Sequence, residues 1–240
     1  MNEMVRRFLR QRFGSPAIVT ALGLLGLLTA LQAALSNPES AFGTGILAVA
    51  LIAAGSVSRD ASGGALQMIL ARPIRRTAYL FGRYLGILTV YGTYLGVVAG
   101  LTILCVQLIP ALSGPRPAAF SGLALARGVA TAMLNAALFA AILLFFSTFL
   151  RGYADVLAYV VLQVALGAIP MLGAALKRPA IEKAGEALRS NILPNVAWGE
   201  VLRGHQVLAE PTGRWVLAVT AFLILAAVIF SRREFAYGQD

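Results

Sequence analysis

Charge is scarce in this sequence. Asp, Glu, Lys and Arg together make up 12% of its 240 residues, whereas hydrophobic residues make up 59%. Soluble domains carry about 25% charged residues, so polar groups are too few here to cover the exterior of a water-soluble fold. The mean hydropathy of +0.79 agrees with this. The composition therefore excludes an ordinary soluble domain and indicates a chain surrounded by lipid.

Cysteine and histidine are almost missing. The sequence holds one cysteine, Cys105, and one histidine, His205. A disulfide framework needs several cysteines and a metal site needs several ligands close together, so neither is expected within the chain. The phosphate-binding pattern G-x-x-x-x-G-K-[ST] is absent as well. We therefore predict no catalytic residue, no metal ligand and no cofactor-binding residue in this chain.

Long apolar runs dominate the sequence instead. An α-helix rises about 1.5 Å per residue, so about 20 apolar residues cross the hydrocarbon core of a bilayer. Six uncharged runs approach or exceed that length: residues 16–35, 41–57, 84–110, 128–150, 156–176 and 215–231. They predict an all-α polytopic membrane protein with six transmembrane helices in a single transmembrane domain, residues 1–240.

Basic residues decide the predicted orientation. The formal net charge is +10, but the arginines lie in the segments between apolar runs rather than in one patch. That pattern is typical of contacts with anionic membrane lipid and not of nucleic-acid binding. Because arginine-rich short loops and flanks face the cytoplasm, we expect both termini there, in a bacterial-type inner membrane. The first run follows a basic start without a small-residue cleavage site, so it is expected to be a retained helix.

Two polar segments have helical patterns. Residues 1–15 place apolar side chains on one helical face and arginines on the other, which predicts an amphipathic helix along the cytoplasmic interface. A frayed basic tail is the alternative. Residues 177–213 form a predicted extracellular loop before the last span. We expect a short amphipathic helix there, a break at 191–195 and a second short element near 198–208. The apolar face of the first of these helices is predicted to comprise Ile181, Ala184, Leu188 and Ile192.

The segment between the second and third runs is the most informative about function. Residues 58–86 read SRDASGGALQMILARPIRRTAYLFGRYLG. The glycines at 63–64 allow a turn, residues 65–71 predict a short apolar helix, and Pro73 ends it because the residue before a proline avoids helical angles. Three arginines lie at the expected headgroup level: Arg72, Arg75 and Arg76. We therefore predict that residues 58–78 hold a short helix parallel to the cytoplasmic surface, between two hinges, where a soluble partner can push it.

This pattern resembles the cytoplasmic loop of ABC-2 type transporter permeases. That loop commonly shows an acid, Gly-Thr-Leu, an apolar run, a proline, a Ser-Arg or similar pair, and Gly-Lys before the next span. The corresponding positions here are Asp60, Gly64-Ala65-Leu66, residues 67–70, Pro73, Arg76 and Gly82-Arg83. Ala65 and Arg83 are mild departures from the Thr and Lys of the pattern. The six-run layout, the amphipathic start and the long loop before the last run extend the resemblance along the chain.

The resemblance implies a coupling helix that docks into a groove on a separate nucleotide-binding ATPase subunit, where ATP and Mg²⁺ bind. It also implies a second permease copy, identical or a related paralogue, with the translocation path between the copies. In this interpretation the chain is the permease subunit of an exporter and not an enzyme. The residues that the resemblance assigns to ATPase coupling are Asp60, Gly64, Leu66, Ile69, Leu70, Pro73 and Arg76.

Several polar residues lie within or beside the apolar runs. Gln32, Gln107, Asn135 and Gln163 either hydrogen-bond between helices or line a translocation path. Asp155, at the edge of the fifth run, is either a proton or substrate relay or an i, i+4 partner of Arg151.

Other functions stay open from the sequence. The haem-exporter-like membrane subunit of cytochrome c maturation has a similar length and number of spans, although its loop is less like the Pro-Ile-Arg-Arg stretch here. A membrane-embedded enzyme needs clustered acids or a motif such as H-E-x-x-H, which the sequence lacks. An ion-coupled secondary carrier needs an acid at mid-membrane depth, and the predicted spans hold none.

Overall fold

The computed structural model describes residues 15–35, 42, 45–57, 60, 76–108, 121–150, 152–204 and 209–232, and these ranges contain helices but no strand. The helices, numbered in chain order, are α1 (Pro16–Leu35), α2 (Gly45–Ala53), α3 (Arg76–Leu108), α4 (Gly122–Ser147), α5 (Ala154–Ala175), α6 (Pro179–Ile192), α7 (Trp198–Leu202) and α8 (Ala209–Arg232). Residues 1–14, which hold most of the predicted interfacial helix, lie outside these ranges.

Five of the described helices are long and apolar enough to cross a membrane: α1, α3, α4, α5 and α8. Each of these helices corresponds to one of the predicted apolar runs, and its ends differ from those of the run by up to about two helical turns. The helical structure of these segments follows from the lack of water in lipid, where every backbone N–H and C=O must find its partner within the segment, and their length follows from the thickness of the bilayer. The described chain is thus all helical and has the composition of a multi-pass membrane protein.

The second predicted span differs from the prediction. The apolar run 41–57 led us to expect one continuous helix, but α2 comprises only the nine residues Gly45–Ala53. Residues 54–57 form a turn, in which Gly55 has a φ of 64°. Glycine adopts this left-handed conformation without the steric penalty of a Cβ, and it commonly follows the end of a helix. Hydropathy alone does not register such an ending, because all four residues of the turn are small or apolar.

The helices fall into two compact units. The first contains the described residues of 1–53, 78–140 and 198–203, and the second those of 54–77, 141–197 and 204–240. In the first unit, α1 buries a stripe of mostly small residues, on which Gly26 faces Tyr94 and Val98 of α3. Small residues of this kind let two membrane helices approach closely, which favours van der Waals packing where water provides no hydrophobic drive.

The first unit also pairs α3 with α4 in antiparallel fashion. The Tyr84 hydroxyl donates to the carbonyl oxygen of Ala137 at 3.2 Å, and Gly92 faces Met133 further along the pair. Residue numbers thus rise along α3 as they fall along α4. The direct connection between two consecutive spans accounts for this arrangement.

Large apolar side chains face outward on α1 and α5. On α5 only Asp155, Leu166 and Gly173 are buried. Its exposed apolar residues include Leu157, Val160, Val161, Val164, Met171 and Leu172. A surface of this length and composition is unfavourable in water and favourable against lipid tails, which agrees with a membrane-spanning α5.

In the second unit, α5 and α6 form a tight antiparallel hairpin. Gly173 of α5 faces Glu182 of α6, and Gly185 of α6 faces Ile169 and Pro170 of α5. A Cβ at Gly173 would lie 2.7 Å from Cα of Glu182, and one at Gly185 would lie 2.8 Å from the backbone nitrogen of Pro170. Backbone atoms cannot move aside as a flexible side chain can. The two glycines therefore permit the close approach.

The sequence predicted α6 and its end near residue 192, but it predicted a different packing face. Ile181 and Ile192 are half-buried, whereas Ala184 and Leu188 are exposed. The residue that α6 buries is Gly185. Amphipathic periodicity locates large apolar side chains and does not detect a contact made through a glycine.

Replacing either contact glycine by alanine is expected to loosen the hairpin. Gly173→Ala and Gly185→Ala should each lower the free energy of unfolding by about 1–3 kcal/mol, because the added methyl group meets fixed backbone. The measurement is an equilibrium titration with SDS in mixed micelles. Gly167→Ala on the same helix is the matched control, since a Cβ there meets nothing within 4 Å. Equal midpoints for all three variants would show that the close approach is absent.

Candidate functional site: the anchors of the segment between α2 and α3

The segment assigned to ATPase coupling connects α2 to α3; residues 58–75 are called the loop segment below. Two of the seven predicted coupling residues, Asp60 and Arg76, are described. Gly64, Leu66, Ile69, Leu70 and Pro73 lie outside the described residues, so the structure does not test them. What it describes is how the chain is held on each side of the loop segment.

On the α2 side, Asp155 holds the turn that follows the helix. Its carboxylate oxygen Oδ2 accepts the backbone N–H of Gly55 at 2.7 Å, across 100 residues of sequence. Asp155 is completely buried. It lies in the first turn of α5, where the partial positive charge of the helix N-terminus favours an anion, and Oδ1 accepts the N–H of Val156 at 2.8 Å. The carboxylate is thus oriented from its own helix while it binds the turn.

A second bond holds the same turn to the end of α4. The Ser147 hydroxyl oxygen accepts the backbone N–H of Val57 at 3.0 Å. Ser147 is the last residue of α4 and is completely buried. The N–H groups just beyond a helix that ends within apolar surroundings cost about 1–3 kcal/mol each if they lack an acceptor. Asp155 and Ser147 supply these acceptors, and we call the four residues Gly55, Val57, Ser147 and Asp155 the clasp.

Ser56 lies between the two held N–H groups but does not contribute to the clasp. It is buried, and among the described residues its hydroxyl has no hydrogen-bond partner. An unsatisfied buried hydroxyl is unfavourable, so the turn does not owe its position to this side chain. The backbone of the turn is what the protein holds.

On the α3 side, Arg76 is bound to the end of α8. One guanidinium nitrogen, Nη1, donates to the carbonyl oxygen of Ser231 at 2.9 Å. Ser231 lies in the last turn of α8, whose final carbonyls have no partner within the helix. An arginine there satisfies a carbonyl and complements the partial negative charge of the helix C-terminus. This bond fixes the first residue of α3 to α8.

The loop segment is therefore anchored on both sides within the second unit. The clasp binds its α2 side to the end of α4 and the start of α5, and Arg76 binds its α3 side to the end of α8. No group of three or more His, Cys, Asp or Glu suited to a metal ion occurs in the described part of the chain.

Two charged residues of the family-like pattern are buried. Asp60 is helical and 2% exposed, so its side chain is covered by the chain itself. Arg83 is buried in α3, where its Nε donates to the Tyr79 hydroxyl at 3.2 Å and its guanidinium lies 5.5 Å from the centre of that ring. A cation–π contact of this kind stabilises a charge where water is scarce.

The four residues predicted to line a translocation path have differing surroundings. Gln32, Gln107 and Asn135 are exposed, and all three belong to the first unit. Gln163 is half-buried in α5 of the second unit, where its side-chain nitrogen donates to the hydroxyl of Tyr159 one turn earlier at 2.6 Å. That bond stays within one helix. A shared path for the four residues remains a prediction.

The clasp was not predicted, although each of its parts left a signal in the sequence. Asp155 was expected to be a relay or a partner of Arg151, and Arg151 lies outside the described residues. In the structure, Asp155 binds the turn at Gly55. The signals in the sequence are a Gly-Ser pair near the end of the second apolar run and an acid at the edge of the fifth. That these two positions are in contact is known only from the structure.

Removing a clasp acceptor is expected to destabilise the protein. Asp155→Ala and Ser147→Ala each leave a buried N–H without its acceptor, so each should lower the free energy of unfolding by about 2 kcal/mol in an SDS titration. Asp155→Asn keeps an oxygen that can accept from Gly55 and should lose less.

Ser56→Ala is the matched control for Ser147→Ala. Both replace a buried serine in or next to the clasp, but the Ser56 hydroxyl binds nothing among the described residues. Its removal should change stability by less than about 0.5 kcal/mol, or raise it slightly. A loss for Ser56→Ala as large as that for Ser147→Ala would contradict the assigned bond.

Neither a protein-family model nor a curated protein sequence matches this chain. The likeness of residues 58–86 to ABC-2 type permeases therefore stays a prediction from the sequence. The clasp and the Arg76 bond are the structural observations on which a function can be argued.

Proposed function

We propose that this chain is the permease subunit of an ABC-2 type exporter, driven by a separate ATPase that docks on the loop segment. The permease contains six transmembrane helices, with α2 as part of the second, and both termini face the cytoplasm of a bacterial-type inner membrane. Two permease copies, identical or paralogous, enclose the translocation path. ATP and Mg²⁺ bind in the ATPase partner, and this chain performs no chemistry.

The observation that carries the proposal is the anchoring of the loop segment on both sides. An ATPase outside the membrane can drive transport only if its motion reaches the spanning helices. The clasp and Arg76 connect the segment to α4, α5 and α8 by hydrogen bonds of 2.7–3.0 Å. A loop tethered only through its own chain would absorb such motion as local bending. The hydrogen bonds on both sides therefore make the loop segment suitable for transmitting motion to these helices.

Charge supports the cytoplasmic side for this end of the helices. The clasp connects the end of α4 with the start of α5, and Arg76 connects the start of α3 with the end of α8. Each is a pair of ends that alternate crossings would put on the same side of the membrane. The flanking sequence at this end is rich in arginine: Arg59, Arg72, Arg75, Arg76, Arg151, Arg232 and Arg233. Positive residues in short loops stay on the cytoplasmic side, where the ATPase and its nucleotide are found.

The absence of a P-loop from the sequence assigns hydrolysis to the partner. The exposed apolar surfaces of α1 and α5 supply the contact with membrane lipid. Nucleic acid has no role in this scheme, because the basic residues belong to the membrane flanks.

Charge introduced into the predicted helix of the loop segment is expected to prevent ATPase docking. Leu66→Asp or Ile69→Asp places an unpaired charge in the proposed contact, which costs about 2 kcal/mol or more. Capture of a co-expressed P-loop ATPase by the tagged permease should weaken by about thirtyfold. The measurement is the amount of ATPase retained at matched membrane levels of permease.

The controls for this experiment lie in the predicted extracellular helix. Glu186→Gln and Arg189→Gln change exposed charges on α6 and should leave capture as in the parent chain. The permease purified alone should hydrolyse no ATP. Capture by the Leu66 and Ile69 variants equal to that of the parent would refute docking at the loop segment.

A further inference from the structure

We infer that the clasp is the rigid link that carries movement of the loop segment into α5, with Asp155 as its positioning residue. This rests on the proposed function, because it concerns how a docked ATPase moves the membrane helices. It goes beyond that function in naming the bonds that transmit the motion and the helix that receives it. Asp155 contacts no nucleotide and no transported molecule in this scheme, and it acts through the backbone of Gly55.

The position of the clasp makes it a link rather than a local cap. Ser147 ends α4 and Asp155 is the second residue of α5, and only seven residues separate them. The turn after α2 thus holds both sides of the connection between α4 and α5. A pull on the turn displaces the end of one helix and the start of the next together.

The chemistry of the Asp155 bond suits a link that stays closed under load. A hydrogen bond to a carboxylate is stronger than one between neutral groups, and water that would compete for it is excluded from a completely buried site. The first turn of α5 stabilises the same carboxylate, so the load passes directly to the backbone of that helix. Gly55, in its left-handed conformation, lets the chain leave α2 abruptly and present its N–H to Asp155.

Few residues of α5 are buried. Three of its 22 residues are buried: Asp155, Leu166 and Gly173. The contacts near its far end are made with α6, through Gly173 and the Ile169–Pro170 turn. In the proposed link, α5 carries a displacement of its first turn along its axis towards these contacts. Motion of the clasp is therefore expected at the far end of α5, about 30 Å away along the helix axis.

The test follows the far end of α5 in the complex of permease and ATPase. In a Cys105→Ser background, Leu176→Cys supplies a single exposed thiol just beyond α5. Its rate of reaction with a membrane-impermeant maleimide is measured in nanodiscs, without nucleotide and with ATP plus vanadate. The ratio of the two rates reports the movement of α5, and ATPase capture is measured on the same samples.

The expected result separates transmission from assembly. The parent complex should show a ratio that differs from one by about fivefold, the lower end of typical coupling between sites. The double variant Asp155→Ala, Ser147→Ala should capture as much ATPase, yet its ratio should fall to near one. Asp155→Asn and Ser56→Ala should keep the parent's ratio, because the first retains an acceptor for Gly55 and the second removes no bond of the clasp.

The outcomes that overturn the inference differ from those that overturn the proposed function. A double variant with full capture and the parent's ratio refutes the clasp as the link. If the double variant does not assemble, the same ratio of labelling rates is measured for Ser147→Ala alone, with Ser56→Ala as its control. A Ser147→Ala complex with the parent's ratio then refutes the clasp as the link. A parent complex with full capture and a ratio of one refutes the inference and leaves the proposed function standing. Failure of the parent to capture the ATPase refutes the proposed function and the inference with it.

Discussion

The architecture around the loop segment depends on one constraint: backbone N–H and C=O groups that no helix pairs, in a turn or in the last turn of a helix, must find partners elsewhere. The helix α2 ends at Ala53, and the two acceptors for the turn beyond it come from Asp155 and Ser147. Because these acceptors lie on two other helices, satisfying the backbone also ties three parts of the chain together. The same principle acts at Arg76, which satisfies a terminal carbonyl of α8 and fixes the start of α3.

This arrangement explains why a carboxylate can be completely buried here. An isolated buried charge is strongly unfavourable, but Asp155 combines the N-terminal end of α5 with two backbone N–H donors. The interactions that make the charge tolerable are the ones that connect α5 to the turn. A neutral side chain would satisfy the turn less strongly and would lose the attraction to the helix end. Stability and the proposed transmission thus depend on the same contacts, which is why ATPase capture and α5 movement have to be measured separately.

The long helices could be predicted from the sequence, but the contacts between them could not. Uninterrupted apolar runs of bilayer length located α1, α3, α4, α5 and α8, since helix length and hydropathy are local properties. The early end of α2 depends on Gly55 meeting Asp155, which is 100 residues away, and no local pattern records that pairing. The contact between α5 and α6 is made through Gly173 and Gly185, where the informative feature is a missing side chain. Of the predicted coupling residues, Arg76 proved to be an anchor, which its position before the third run did not reveal.

The proposed function requires the turn after α2 to stay bound to the ends of α4 and α5 while a docked ATPase works. A disulfide between Val57→Cys and Ser147→Cys, in a Cys105→Ser chain, tests this most directly. The 3.0 Å bond between these residues places their Cα atoms within about 7 Å, at the limit of disulfide reach. We predict that the complex locked by this disulfide still shows the nucleotide-dependent labelling of Leu176→Cys. A locked complex whose α5 no longer responds to nucleotide would contradict this.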